Sequence, residues 1–518
     1  MFNFYLRLSV FMVCFAYCGA HGARAATKAP NIVFIYTDDH SQATISAYGS
    51  TMNKTPNIDR LAAEGMRFTQ SFVANSICGP ARACILSGSH SHANGMIHNV
   101  AKFRQDIPTF AKEMQANGYQ TAMVGKWHIS GKPVGFDYYG ITRDYYLASV
   151  DTKKGEIPLT GYTTEVITDL TLDWINKRDK EKPFVAWVCH SAVHRTWMPG
   201  PQYLTRYDDV MIPEPRTLFD DYKGRSPGAT RAQMRISRDL FPAYDLKLPI
   251  TGEGYLDRFA RERQKHMTPE NAAAWHAAYG PKNKAFADAK LSGKALTSWN
   301  FQRYAKDYLR CVDAVDDSVG KILSYLEKND LDDNTIVIYS SDQGFFVGEH
   351  GWYDKRWMYD PSMRTPLIVR WPGVTDKGTL CDRLVQNIDM APTMLDAAGL
   401  SVPKEMQGKS LVPLLKGEQP SDWRDAVYYH YQMDDGKQKS SHVVAKHYGV
   451  RTSRYKLMYV YEHDYWELYD MKHDPDEMTN RYRDPEYRSI AKKLTAKLAQ
   501  LRTSYKDTTG PRVPPNLL

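Results

Sequence analysis

Continuous apolar runs recur along this chain, at residues 32–36, 119–124, 184–188, 335–339 and 367–369. Runs without polar alternation suit strands covered on both faces, as in a sheet sandwiched between helices. Helical patterns lie between them. Thr55-Pro56 opens a helix that continues through Ala63 and stops at Gly65, with a cap, a proline in the first turn and a glycine past the end. Residues 389–398 read as another helix, closed by Gly399. The pattern predicts an α/β fold. Beyond about residue 400 the texture changes. Residues 455–461 and 466–471 are rich in Tyr, Val and Trp and are separated by polar turns, which predicts antiparallel strands. Residues 490–501 have the spacing of an amphipathic helix. The expected organisation is a large α/β domain over 26–400 and a smaller C-terminal α+β subdomain over 401–518. Residues 200–300, polar, helix-prone and short of strand signal, are expected to form an insertion or lid over the sheet edge.

Each of four apolar runs ends in ionisable groups. Run 32–36 leads into Asp38-Asp39, run 119–124 into Lys126-Trp127-His128, run 184–188 into His190 and His194, and run 335–339 into Asp342-Gln343 with Lys355 shortly after. Open α/β sheets bind ligands beyond the carboxyl ends of their strands, so these groups are expected to converge on one site. Loops are polar in any protein, and one such residue would carry no weight; four successive strand ends do. Asp38, Asp39, Asp342 and Gln343 offer only oxygen donors. Carboxylates packed together repel unless a cation sits among them, and hard oxygen donors suit Ca²⁺ or Mg²⁺ rather than zinc.

Composition adds limits. With 518 residues, 42% hydrophobic and 24% charged, the chain is globular and too long for a single core. The net charge of +8 comes from basic and acidic residues scattered along the sequence. No basic block indicates nucleic acid, although a modest positive balance favours an anionic substrate. The start of the chain has the form of a cleaved signal peptide over residues 1–25: Arg7, a short apolar run over 8–20, and Ala23-Arg24-Ala25. Export to the periplasm or medium is expected, without a stable membrane span; a lipid on Cys18 is the alternative, in a poor context after Tyr17. Five of the seven cysteines lie beyond that segment: Cys78, Cys84, Cys189, Cys311 and Cys381. An odd count in an exported protein leaves at least one thiol unpaired or modified, and no CxxC pair suggests zinc.

One of these thiols stands in a distinctive setting, Ser76-Ile77-Cys78-Gly79-Pro80-Ala81-Arg82. Pro80 fits the first turn of a helix, so Cys78 lies at a helix N-terminus, where backbone amides favour an anion. Arg82, one turn on, points back to the same place. A cysteine so placed suits a low-pKa nucleophile, whereas most free cysteines are simply small buried hydrophobes. The C-x-P-x-R pattern of Cys78, Pro80 and Arg82 resembles the signature of the type I, formylglycine-dependent sulfatases. The resemblance extends from residue 31 to about 480. Thr55-Pro56-Asn57-Ile58-Asp59-Arg60-Leu61 is similar to that family's TPNxDxL segment. Gly118-Tyr119-Gln120-Thr121 through Gly125-Lys126-Trp127-His128 is similar to its GYxTxxxGKWH block. Ser341-Asp342-Gln343-Gly344 and Gly348-Glu349-His350-Gly351 resemble its second metal block, and residues 466–476, WELYDMKHDPD, its C-terminal strand motif.

The resemblance implies an alkaline phosphatase-like sandwich with a large central mixed sheet, plus a C-terminal α+β subdomain with an antiparallel sheet. It implies that a maturation enzyme converts Cys78 to formylglycine, whose hydrate attacks sulfur to give a covalent sulfo-enzyme. Asp38, Asp39, Asp342, Gln343 and modified Cys78 would hold Ca²⁺. The metal, Ca²⁺ rather than Mg²⁺, and Arg82 would favour the ionised hydrate and bind sulfate oxygens, and Lys126 and Lys355 would neutralise charge on the transferring group. His194 would protonate the departing alcohol, and His128 would take the proton that releases sulfate. Val193 stands where the family often has proline, which leaves His190 as the alternative to His194. The block over 348–370 looks most like exported bacterial sulfatases of sulfated carbohydrates, including amino-sugar or galactan 6-sulfates. In it His350, Trp352, Arg356 and Trp357 are expected to line the sugar subsite. The competing readings are a phosphomonoester or phosphonate hydrolase of the same superfamily and a non-catalytic glycan-binding homologue.

Overall fold

The computed structural model describes residues 29–433 and 444–514; the leader, Cys18 and the last four residues of the tail lie outside them. The strands of the main sheet, in chain order, are β1 (Asn31–Thr37), β2 (Met66–Phe68), β3 (Gln120–Gly125), β4 (Tyr138–Ile141), β5 (Tyr146–Thr152), β6 (Gly155–Tyr162), β7 (Phe184–Cys189), β8 (Thr335–Ser341), β9 (Leu367–Arg370) and β10 (Thr379–Cys381). Their spatial order is β10-β2-β9-β8-β1-β7-β3-β4-β5-β6. The centre, β8-β1-β7-β3-β4, is parallel. β9 and β5 run antiparallel to their neighbours, so the sheet is mixed.

The uninterrupted apolar runs are explained by burial on both faces. In β1, Val33 and Ile35 face one core, shared with Val315, Val319, Ile322 and Leu326 of the long helix Gly293–Lys328. Ile32, Phe34 and Tyr36 face the other, shared with Phe110, Met114, Ile85, Leu86 and Met394. Those residues belong to helices Phe110–Ala116, Cys78–Ser87 and Met390–Ala397. The result is a three-layer sandwich.

The helix predicted at Thr55-Pro56 spans Pro56–Glu64. Thr55 does not cap it with its side chain; its hydroxyl donates to Asp59 instead, at 3.1 Å. The orphan amides of Asn57 and Ile58 are taken by the carboxylate of Asp316 on the long helix, at 3.1 and 2.9 Å. A tertiary contact thus replaces the local cap that the sequence suggested.

The C-terminal strands β11 (Ala426–Tyr431), β12 (His447–Thr452), β13 (Tyr455–Val460) and β14 (Tyr465–Asp470) form an antiparallel meander. One face, with Tyr428, Val450 and Leu468, packs on Leu494 and Leu498 of helix Arg488–Ser504. The other, with Val427, Tyr429 and Met458, joins the core of the large sheet. Tyr429 carries this contact to the site: its hydroxyl accepts the Ser76 amide at 3.2 Å and donates to the Arg356 carbonyl at 2.5 Å. The segment over 200–300 holds helices Tyr255–Lys265 and Pro269–Ala289 and long connecting loops. Among the described residues no helix is long and apolar enough to cross a membrane.

Candidate active site

The carboxyl ends of β1, β8 and β3 bring their polar residues to one place. Asp38 and Asp39 follow β1, Asp342 and Gln343 follow β8, and Lys126 follows β3. The N-terminus of helix Cys78–Ser87 faces them. One ligand atom from each of Asp38, Asp39, Cys78 and Asp342 lies within 4.8 Å of the others, and all four residues are buried. Gln343 joins the group, its amide nitrogen bonding Asp39 and reaching Cys78 Sγ at 3.5 Å.

Cations surround the cluster. The Arg82 guanidinium binds Asp342 through Nε at 3.1 Å and Nη2 at 2.9 Å, and donates through Nη1 to the Lys126 carbonyl at 2.8 Å. Lys126 pairs with Asp38, and Lys355 with Asp39 at 2.6 Å. Two glycines allow this closeness. Gly125 has φ +112° and a Cβ there would lie 1.9 Å from the Cys189 carbonyl; a Cβ on Gly79 would press on Met96 and on the His128 carbonyl at 2.8 and 2.9 Å.

The donor set fits a hard cation. Burial disfavours the charge of Asp38, yet Lys126, His194, Arg82 and Lys355 hold its carboxyl well below the usual range. Asp39 is pushed up to about 6 by burial and the charges of Asp38 and Asp354, against Lys355. Burial and Asp38 likewise raise Asp342 well above an ordinary aspartate, against Arg82. Asp342 and Asp39, the two carboxyls pushed up, are those whose ionised forms a bound cation would favour. Two buried oxygens, Asp38 Oδ1 and Gln343 Oε1, have no hydrogen-bond partner, as expected of atoms that face an ion.

The low-pKa thiolate expected at Cys78 is not what the structure provides. Burial, and after it the charge of Asp38, pushes the thiol up, against Lys126 and Lys355. As a plain cysteine this residue is a poor nucleophile at neutral pH. All five described cysteines are free and buried; Cys84, Cys311 and Cys381 lie within helices or strands, and Cys189, the last residue of β7, lies beside Arg82 rather than in the carboxylate cluster.

Of the two histidines, His194 reaches the site. Its Nε2 lies 3.8 Å from Asp39 and its Nδ1 bonds the Arg195 carbonyl, which orients the ring. His190 is fully buried, with Nε2 2.9 Å from the Ser318 hydroxyl. Burial and then Lys126 lower the pKa of His194 well below that of free imidazole; an anionic group bound by Lys126 and Lys355 would offset the lysines' share. His128 is solvent-exposed at the rim, two residues beyond Lys126.

The expected sugar-binding residues divide. Trp352 and Trp357 are fully buried and stack on each other at 6.1 Å, with Tyr222 on Trp352 at 5.2 Å and His447 on Trp357 at 4.9 Å. His350 is also buried, held by Asp220 and Arg225 at 2.9 Å each. These three form the packed seam between the 200–300 segment and the C-terminal sheet rather than a subsite wall. Trp352→Ala should therefore cost about 3–5 kcal/mol of stability, read as a lower denaturant midpoint, while a subsite role predicts a higher KM at unchanged stability. Arg356 does face the cleft, paired with Asp354 at 2.6 Å. Asp354 was not singled out from the sequence, although it adjoins Lys355 and lies 3.8 Å from its ammonium. The cleft, about 1100 Å³, opens from His194, Lys355 and Arg356 toward loop 241–254 and the first turns of helix Tyr255–Lys265.

A buried cluster of carboxylates, ringed by lysine and arginine at the strand ends of a mixed-sheet sandwich, has the chemistry that hydrolysis of an anionic ester requires. The sulfatase family model matches residues 30–400, and that of the N-sulphoglucosamine sulphohydrolase C-terminal region matches residues 348–504. The chain belongs to the sulfatase family, in the alkaline phosphatase-like superfamily, and is a sulfuric ester hydrolase. An N-acetylglucosamine-6-O-sulfatase of Bacteroides thetaiotaomicron is 44% identical over 499 residues, 94% of this chain and 89% of that protein. The human N-acetylglucosamine-6-sulfatase is 26% identical over 446 residues, 80% of this chain and 69% of its own length. A solved complex with D-glucosamine-2-N,6-O-disulfate, described as that protein's substrate, superposes with a TM-score of 0.89 at 43% identity, covering 93% of this chain and 99% of that one. Membership of the family implies a metal ion and a formylglycine residue.

Proposed function

We propose that this enzyme removes the 6-O-sulfate of N-acetylglucosamine-type amino sugars in sulfated glycans, using formylglycine formed at Cys78 by a maturation enzyme and Ca²⁺ held by Asp38, Asp39, Asp342 and Gln343 together with modified Cys78. The observation that carries the site assignment is the clustering of Cys78 with three carboxylates and three cations at the strand ends. The substrate assignment rests on the 44% identity to an N-acetylglucosamine-6-O-sulfatase across nearly the whole chain.

Once formed, formylglycine at Cys78 would supply an oxygen nucleophile through its hydrate, and a cation held by Asp38, Asp39, Asp342 and Gln343 would favour the ionised form of that hydrate. The remaining chemistry belongs to the chain's own side chains. Arg82 is fixed by Asp342 and the Lys126 carbonyl, so its guanidinium presents donors without reorganisation. Lys126 and Lys355 pair with the adjacent carboxylates Asp38 and Asp39 and would bind the sulfuryl oxygens. His194 holds its Nε2 toward the site and delivers the proton to the sugar oxygen as the ester breaks. His128 accepts the proton whose removal frees sulfate. Arg356, with Asp354, would bind sugar hydroxyls at the inner end of the cleft. An exported location fits the leader expected over residues 1–25.

Hydrolysis of a panel of defined sulfated sugars by matured enzyme tests this reading. N-acetylglucosamine 6-sulfate should give the highest kcat/KM, and a clear preference for a 2-O- or 4-O-sulfated sugar would overturn it. For the metal, chelation should abolish activity and Ca²⁺ restore it. Ca²⁺ at 100 times its Kd should stabilise the fold by about 2.7 kcal/mol, and Asp342→Ala should lose that stabilisation. Stoichiometric zinc that tracks activity would contradict the assignment.

A further inference from the structure

The cleft is larger than one sulfated sugar requires. Its volume of about 1100 Å³ lies above the ~300–1,000 Å³ typical of small-ligand sites. Its inner end is buried, with Lys355 at 3% exposure, whereas its outer wall carries aromatic rings open to solvent: Tyr255 at 66%, Phe259 at 38% and Phe241 at 37%. Large exposed aromatics grouped beside an active site call for a ligand. Tyr255 and Phe259 lie one helical turn apart with ring centroids at 4.6 Å, and Tyr244 meets Phe259 edge-on at 6.5 Å.

The wall is tied to the catalytic loop. Arg195, next to His194, makes a bidentate pair with Asp245. The second oxygen of Asp245 also accepts the Phe241 amide at 2.8 Å. The Arg195 guanidinium lies over the Phe241 and Tyr244 rings, at 5.9 and 5.3 Å. Phe241 and Tyr244 are thereby tied to the residue next to His194, and Phe259 and Tyr255 join them through the Tyr244–Phe259 and Tyr255–Phe259 ring contacts.

We propose that Phe241, Tyr255 and Phe259 form a second subsite, which stacks on the pyranose joined to the sulfated ring, so that the enzyme prefers a glycosidically extended substrate to the free monosaccharide. The inference rests on the amino-sugar 6-sulfate reading above. Pyranose rings present an apolar C–H face, and aromatic side chains offer a large apolar surface that loses little conformational entropy on binding. The occupant is fixed by continuity: a chain leaving the buried end at Lys355 and His194 has this wall in its path.

The test compares kcat/KM on N-acetylglucosamine 6-sulfate with kcat/KM on a disaccharide carrying the same sulfated ring at its non-reducing end. The disaccharide should be favoured about tenfold or more by wild type, the scale of a well-formed apolar contact in a binding site. In the Tyr255→Ala/Phe259→Ala double variant this ratio should fall toward one, chiefly through KM, while Tyr255→Phe should keep it. Thermal unfolding checks that the double variant is folded, and single Phe241→Ala should lower the same ratio should it not be. An unchanged ratio in folded variants, or no preference in wild type, overturns the subsite and leaves the amino-sugar reading intact. Turnover of neither saccharide alongside turnover of another sulfated sugar overturns both. A change in oligomeric state on removing the rings, with the ratio unmoved, assigns the patch to a second copy of the chain and also overturns the subsite.

Discussion

Cys78→Ala should reduce turnover of every sulfate ester to near background, a loss of about 10⁴–10⁶-fold, the scale seen when a nucleophile that works as part of a unit is removed. The variant should still fold, because the side chain is small and the helix it begins is anchored by Ile85 and Leu86 in the core. It should also keep much of its cation affinity, since Asp38, Asp39, Asp342 and Gln343 remain. Cys84→Ala provides the control. Cys84 is equally buried, but its sulfur faces the Ser91 hydroxyl at 3.6 Å rather than the carboxylates, so its loss should leave turnover largely in place. Comparable losses for the two variants would mean that Cys78 matters for packing and not for chemistry.

His194→Ala should separate substrates by leaving group. A sugar alkoxide leaves poorly and needs a proton in the transition state; a nitrophenolate leaves well without one. General acid catalysis contributes ~10²–10⁴-fold, so the variant should lose about that factor on a sulfated sugar and far less on an activated aryl sulfate. The geometry favours His194 over His190, whose ring is bonded to Ser318 inside the core. Equal losses on both substrates would make His194 a binding residue. His128→Ala should behave differently, with a burst of released alcohol followed by slow turnover, because its proton transfer follows departure of the alcohol.

The central strands were legible because parallel strands buried on both faces are largely apolar, so that they read as short apolar runs bounded by polar loops, although β3 begins with Gln120 and Thr121 and β8 ends with Ser340 and Ser341. The hairpin of β5 and β6 left no such trace: Gly155–Tyr162 is exposed for most of its length and carries Glu156 and Pro158. Thr55 is the N-cap residue that the sequence predicts, but its side chain makes no capping bond, because Asp316, 261 positions away in sequence, takes the first free amides. At the site, the carboxylates and lysines were legible as charges placed directly after apolar runs. The two tryptophans were not placed correctly, since a motif block fixes which residues are close but not which way each ring points. Trp352 and Trp357 turn inward onto Tyr222 and His447. The rings that do line the cleft, Phe241, Tyr255 and Phe259, come from a loop and the start of a polar helix without periodic signal. Asp354 was overlooked for a simpler reason, since it adjoins a lysine that was already assigned.

The central claim is that the chemistry resides in modified Cys78. Peptide mass spectrometry across preparations matured to different extents, set against specific activity, tests it most directly. Activity should rise in proportion to the fraction of Cys78 present as the aldehyde and extrapolate to zero at none, with Cys84, Cys189, Cys311 and Cys381 remaining as thiols. Full activity in protein whose Cys78 is wholly an unmodified thiol would contradict the account.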